Sequence, residues 1–169
     1  MHFTQFFALV AAALATPVLA TPVKRQGPVG TKPFVLLSPG SITAPADNTA
    51  VTAGQPFAFG IAVPEQNHCE DPFTPVNTYL LASQPTVASI NSTFGFTDYL
   101  YYFGEFVHYN FPNLPFMGPP PPATLTTPEL GASFIGQTVY LATIETIEGC
   151  PPDGHFEFAI DSAPLIYNE

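Results

Sequence analysis

Phe57-Ala58-Phe59-Gly60-Ile61-Ala62-Val63, residues 57–63, sets a large apolar side chain at every second position with Ala or Gly between. Successive side chains of an extended chain point to opposite faces. Phe57, Phe59, Ile61 and Val63 therefore share one face of a β-strand and commit it to a core. The small residues on the other face leave room for something to pack closely there. The turn Ala53-Gly54-Gln55-Pro56 precedes the strand, with the short run Ala50-Val51-Thr52 before it.

Similar runs recur outward in both directions. Phe34 to Ser38 is stopped by Pro39-Gly40, and Thr78 to Ala82 gives another apolar run. Tyr99 to Val107 is aromatic, and Ala123 to Thr126 is short. Thr138 to Thr146 is long and is followed by the turn Pro151-Pro152-Asp153-Gly154. Beyond it Phe156, Phe158 and Ile160 point one way and Glu157 and Asp161 the other, and Leu165 to Tyr167 completes the series. The 21 prolines are spread along the whole chain and exclude long helices, because an interior Pro removes a hydrogen bond and clashes with the preceding turn. The fold class expected is all-β: an immunoglobulin-like or fibronectin-III-like β-sandwich of about seven to nine strands. Phe111 to Pro122 (FPNLPFMGPPPP) has neither strand nor helix periodicity and reads as an extended polyproline connection.

Met1 to Ala20 has an apolar core from Phe6 to Leu14 and the small-residue ending Val18-Leu19-Ala20. That core is too short to cross about 30 Å of hydrocarbon as a helix, so residues 1–20 read as a signal peptide cleaved after Ala20. Lys24-Arg25 is a dibasic pair of the kind cut in the secretory pathway, which makes residues 21–25 a propeptide and residues 26–169 one domain. Processing leaves Lys32 as the single Lys or Arg against 13 acidic residues. Such a field repels phosphate backbones and anionic lipid, so neither nucleic acid nor membrane is an expected partner. Charged residues make up only 9 % and aromatic ones 14 %, a composition that folds rather than stays disordered.

Cys69 and Cys150 are the two cysteines. In an oxidising compartment they form one disulfide most simply. With the strands lettered in immunoglobulin order, Cys69 falls in the B–C loop and Cys150 in the F–G loop, at the same pole. Asn91-Ser92-Thr93 is a glycosylation sequon and implies a surface position. No carboxy-terminal hydrophobic tail marks a lipid anchor, so the expected product is secreted, extracellular or in the cell wall.

Two sets of residues resemble known secreted proteins. Ser38-Pro39-Gly40 through Thr52-Ala53-Gly54-Gln55-Pro56-Phe57 resembles the opening of the immunoglobulin-like domain in the Ser/Thr-rich, GPI-anchored cell-wall family linked to β-glucan assembly. Tyr99 to Gly104, with Val139 to Thr143 and Cys150-Pro151-Pro152, resembles uncharacterised small secreted proteins of mushroom-forming (basidiomycete-type) fungi. The resemblance implies the immunoglobulin-like fold. The Ser/Thr-rich stalk and the anchor are missing, and with them the basis for a structural role in the wall.

The chemistry of the chain is sparse. His68, Glu70, Asp71, Glu148, Asp153 and His155 gather at the expected disulfide pole. His68, Glu70, Asp71 and His155 are the candidate metal ligands, oxygen-rich ligation suiting calcium and paired imidazoles zinc or copper. Their spacing matches no known ligand loop, so no metal and no cofactor is expected. Neither Thr21 nor Gln26 supplies the terminal His of a copper oxygenase. The carboxylate pairs Glu145/Glu148 and Glu157/Asp161 invite comparison with glycoside hydrolysis. Glu157 and Asp161, however, read as a solvated outer face, and Cys69 as an oxidised sulfur rather than a nucleophile.

Tyr99, Tyr101 and Tyr102 form the candidate binding surface. Their strand carries aromatic rings on both faces, and only one face belongs to a core. The expectation is that the polyproline segment folds over the second face; the alternative is exposure for stacking on a sugar or a partner. The function expected is a non-catalytic secreted module for cell-wall polysaccharide or an extracellular protein. The alternative is a small hydrolase or metal-dependent enzyme using the His and carboxylate pole.

Overall fold

The computed structural model describes residues 34–36, 40–62, 69 and 71–169. The signal and processing residues Ala20, Lys24 and Arg25, the candidates His68 and Glu70, and Val63 of the decisive strand lie outside the described residues.

Ten strands are described: β1 (Phe34–Leu36), β2 (Ser41–Ala44), β3 (Thr49–Thr52), β4 (Pro56–Ala58), β5 (Gly60–Ala62), β6 (Phe73–Leu81), β7 (Tyr101–Tyr109), β8 (Thr124–Thr126), β9 (Thr138–Cys150) and β10 (His155–Asn168). Single 3-10 turns at Val87–Ser89 and Ala132–Phe134 are the helical pieces among the described residues. The chain is therefore all-β. It has more strands than expected because the 57–63 run divides. The Phe59 amide donates to the Ala123 carbonyl at 2.9 Å, β4 pairs with β8, and β5 turns away to pair with β2.

The main sheet runs β1-β10-β9-β6-β7, with β3 also on β10. β1 and β3 pair with β10 in parallel at separate stretches, Phe34 with Phe156 and Thr49 with Leu165, while the remaining pairs are antiparallel. β6 starts at Phe73, well before the run at Thr78 that betrays it in the sequence, because Pro75 hides its beginning. Pairing with β9 begins only at Val76, and opposite Pro75 the Val107 amide turns away to the Pro119 carbonyl, so no bond needs the missing Pro75 amide.

Both faces of the main sheet are covered. On one, Leu80, Val139, Leu141, Leu165 and Tyr167 pack against Val51, Phe57, Phe59 and Leu125 from the short strands. This is the core to which the 57–63 alternation pointed. Truncating a fully buried Leu such as Leu141 or Leu165 costs about 2–5 kcal/mol, so these positions carry a large share of the stability. On the other face, Tyr79, Leu81, Ala142 and Ile144 pack with Phe96 and with half-buried Ile90, Phe94 and Ile160. The small residues of the 57–63 run are not covered as expected. Ala58 and Ala62 are exposed, and only Gly60 is tight, where a Cβ would lie 2.7 Å from Thr43 Oγ1.

Two-sided burial also corrects the reading of β10. Its register sets Glu157 opposite Ile147 and Leu165 opposite Val139, on the face that meets the first core. Glu157 is 4 % exposed rather than solvated, and Asp161 is half-buried. Side-chain alternation told which residues share a face but not that polar ones face inward.

Candidate functional site

β7 carries a bulge: Thr78 of β6 lies opposite Gly104, but Tyr79 lies opposite Tyr102, leaving Phe103 as the extra residue. Gly104 has φ of 124°, a conformation that side chains with a Cβ rarely adopt. The bulge sends Phe103 toward Phe57 of the first core, with ring centres 6.2 Å apart. Tyr102 goes to the second face, 4.8 Å from Tyr79, and Tyr99 lies 5.5 Å from the same ring. Tyr101 packs edge-on against Phe103 at 5.0 Å.

These rings are anchored without being covered. Tyr99, Tyr101 and Tyr102 are 50, 45 and 40 % exposed, whereas Tyr79 beneath Tyr99 and Tyr102 is buried; Tyr101, opposite Leu80, lies on the other face of the sheet against Phe103. The polyproline segment therefore does not fold over them as expected. It runs along the far half of the strand, where the Tyr109 hydroxyl donates to the Gly118 carbonyl at 2.9 Å and accepts from the Met117 amide at 3.2 Å. Tyr102 is further oriented by its hydroxyl, which donates to Asn77 Oδ1 at 2.6 Å, while Asn77 Nδ2 donates to Glu105. Burial, followed by the neighbouring Tyr102, Tyr99 and Glu105, pushes the Tyr79 phenol up to about 12. Burial, with Glu105 and Tyr99 adding to it, likewise raises Tyr102. Both stay neutral hydrogen-bonding groups across the physiological range.

Beside the tyrosines lies a cavity of about 490 Å³ whose wall includes Ser83, Ser89, Asn91, Phe96 and Asp98. A second cavity of about 250 Å³, lined by Ala82, Tyr99 and Leu100, shares Ser83 and Asp98 with the first. The two adjoin at these residues, Asn91 lining the first and Tyr99 the second. Stacking surface and hydroxyl, amide and carboxylate groups side by side can hold a pyranose ring, whose C–H face is apolar and whose rim is polar.

The disulfide pole is organised differently. Cys69 and Cys150 are bonded as expected, with Cα atoms 4.5 Å apart. Cys150 ends β9 rather than lying in the following loop. His155 sits between two carboxylates, Nδ1 2.7 Å from Asp153 Oδ1 and Nε2 2.9 Å from Glu157 Oε1. The bond to Asp153, then that to Glu157, raises His155, and the same contact lowers Asp153. Both ring nitrogens are thus committed to carboxylate oxygens, and neither faces outward toward a metal. Asp71 is also committed, its Oδ1 accepting from the Phe73 amide at 3.1 Å at the start of β6. The ligand atoms that do converge, within 4.8 Å among the described residues, are Cys69 Sγ, Cys150 Sγ and a Glu157 oxygen. Two of these are bonded to each other, and a disulfide sulfur is not a thiolate ligand.

A third group escapes sequence reading. Glu145 is 3 % exposed and lies diagonally across β9 and β10 from Asp161, since Glu145 faces Ala159 and Asp161 faces Thr143. Glu145 accepts a hydrogen bond from the Gly40 amide, and Asp161 Oδ2 accepts from the Ile42 amide at 2.6 Å. Two carboxylates of the main sheet thereby clasp the backbone at and before β2. A Cβ on Gly40 would collide with Glu145 Oε1, so Gly is required there by close approach. Burial pushes the Glu145 carboxyl up to about 7, the Gly40 bond opposing and Asp161 adding to the rise. Pairing Glu145 with Glu148 along the sequence missed this cross-strand relation, because register and not spacing creates it.

No family model matches the chain, and no curated protein or solved structure gives a significant match.

Proposed function

We propose that the chain is a secreted, non-catalytic, immunoglobulin-like module that binds a neutral wall polysaccharide through Tyr99, Tyr101 and Tyr102. The observation that carries the reading is the exposure of three anchored tyrosines at one end of the sheet, 40 to 50 % each, with Tyr99 lining a cavity that also holds Ser83 and Asp98. Half-exposed rings whose partners fix their orientation offer stacking area at little entropic cost. The acidic charge favours an uncharged polymer over an anionic one.

The immunoglobulin-like assignment draws support from the strand order. With β2 as A, β4 and β5 as B, β6 as C, β7 as C′, β8 as E, β9 as F and β10 as G, one layer reads G-F-C-C′ and the other A-B-E. The parallel pairing of β1 and β3 with β10 suits an A strand divided between the two layers. Secretion draws support from the signal-like stretch ending at Ala20 and from the disulfide, which persists in oxidising compartments. No helix among the described residues is long and apolar enough to cross a membrane.

Retention on insoluble β-glucan and chitin tests the reading, with an anionic polysaccharide as control. The wild type is expected to be retained on a neutral polymer, and the Tyr99→Ala/Tyr101→Ala variant to be released. Absence of the wild type from every neutral polymer overturns the proposal.

A further inference from the structure

Asn91 is partly exposed and lines the larger cavity beside the tyrosines. Its Oδ1 accepts from the Thr93 amide at 2.9 Å, the Thr93 hydroxyl at 2.8 Å and the Gly95 amide at 3.0 Å. Three donors on one atom fix the orientation of the amide, because its nitrogen has no acceptor capacity. Oδ1 is therefore saturated, and Nδ2 is the atom left for chemistry. Asn91 lines the main cavity together with Ser89, Phe96 and Asp98, and the cavity lined by Tyr99 adjoins it at Ser83 and Asp98. Gly95 keeps Asn91 close to Tyr79, since a Cβ there would lie 3.2 Å from the Tyr79 hydroxyl and 3.5 Å from Asn91 Nδ2. The modification site and Tyr99 thus line adjoining hollows of one surface groove.

We infer that an oligosaccharide carried on Asn91 lies along this groove and occupies the tyrosine surface, so that the chain's own glycan competes with the external polymer. The inference rests on the proposed function, and it names what regulates that surface. In the attaching step Asn91 Nδ2 bonds to the anomeric carbon of a lipid-pyrophosphate-linked oligosaccharide. The carbon–oxygen bond to the pyrophosphate breaks, and the amide proton leaves with the lipid pyrophosphate. The attached sugar is neutral, as the acidic surface requires, and starts within reach of Phe96 and Asp98. Tethering gives it an effective concentration that a free polymer in dilute solution does not match.

The test uses the chain secreted from a glycosylating eukaryotic host, and intact and peptide mass define occupancy of Asn91. Three forms are compared: the glycosylated protein, the same protein after enzymatic removal of the glycan, and Thr93→Ala, which abolishes the sequon while keeping the backbone donors to Asn91 Oδ1. Nitration of Tyr99 and Tyr102 is followed by peptide mass, and retention on β-glucan and chitin is measured in parallel. Nitration is expected to be several-fold slower in the glycosylated form, and retention several-fold stronger once the glycan is gone. An unmodified Asn91 overturns the inference, as do equal nitration rates in all three forms. If the glycan protects the tyrosines but no form binds a polymer, the placement of the glycan on the tyrosines stands, while the competition and the polysaccharide reading fail. If all forms bind the polymer equally, the polysaccharide reading stands and the inference fails.

Discussion

Where β9 turns into β10, the polar side chains satisfy one another: Asp153, His155 and Glu157 form a continuous carboxyl–imidazole–carboxyl chain near the Cys69–Cys150 bond. At the opposite end of the same sheet, where Leu80 pairs with Tyr101, Tyr99 and Tyr102 rest on Tyr79 and Tyr101 rests on Phe103 across the sheet, each with its outer side open. The first arrangement looks more like catalytic chemistry in a sequence, since it has the His and the acids. Its saturation makes it a structural clasp instead. The second has no reactive group, yet it keeps its stacking faces and part of its hydrogen-bonding capacity for something else. A cluster recognises a partner through what it leaves unused.

Four measurements would break or sharpen this contrast. Replacing both cysteines by Ser is expected to have the largest effect. Releasing a cross-link across 81 positions costs about 4 kcal/mol on the chain-entropy model, read from denaturant midpoints. Tyrosine-dependent retention should survive in whatever fraction stays folded, and its selective loss would mean that the two ends are not independent.

Next is the pH dependence at Glu145. Its carboxyl titrates at about 7 in the fold against an ordinary value of 4.5. Between those values the unfolded chain has released a proton that the folded chain still holds. Stability therefore falls as pH rises from about 4.5 to 7, by about 3 kcal/mol, and this contribution is level above that. Glu145→Gln keeps an acceptor for the Gly40 amide and should remove that slope. The raised His155 adds a decline above 6.5, and the lowered His108 adds a gain as pH rises toward 6.5; both are common to the two proteins and cancel in the difference. Identical pH profiles would refute the buried, protonated carboxyl.

Gly104→Ala places a Cβ at φ of 124° and should cost about 1–3 kcal/mol, with weaker retention on the polymer because the bulge orients Tyr102. Tyr101→Ala should change stability least, by about 1 kcal/mol from the lost edge contact with Phe103, while reducing retention. A large stability loss with unchanged retention would make Tyr101 a packing residue.

Much of this was legible in advance where burial imposes a period. The alternation Phe57, Phe59, Ile61 did mark a core face, and the sparse cysteines did pair. Legibility failed where two elements meet. The run read from Thr78 missed the first half of β6, where Pro75 breaks the apolar pattern although the register leaves its missing amide without a role. Glu157 looked like an outer-face residue, because alternation cannot say which face is covered when both are. The groove beside Tyr99 is assembled from Ser83, Ser89, Asn91 and Asp98, residues with no periodic signature that the turns after β6 bring together.

The order of residues sufficed to show that the described chain is built of strands, that Phe57, Phe59 and Ile61 face a core and which sulfurs join. All three follow from local geometry and from the scarcity of alternatives. Only the tertiary structure decided that the tyrosines stand in solvent, that His155 is clasped by two acids and that Glu145 is enclosed beside Asp161. Those outcomes depend on register and on which surface covers which, and contacts between distant strands set both.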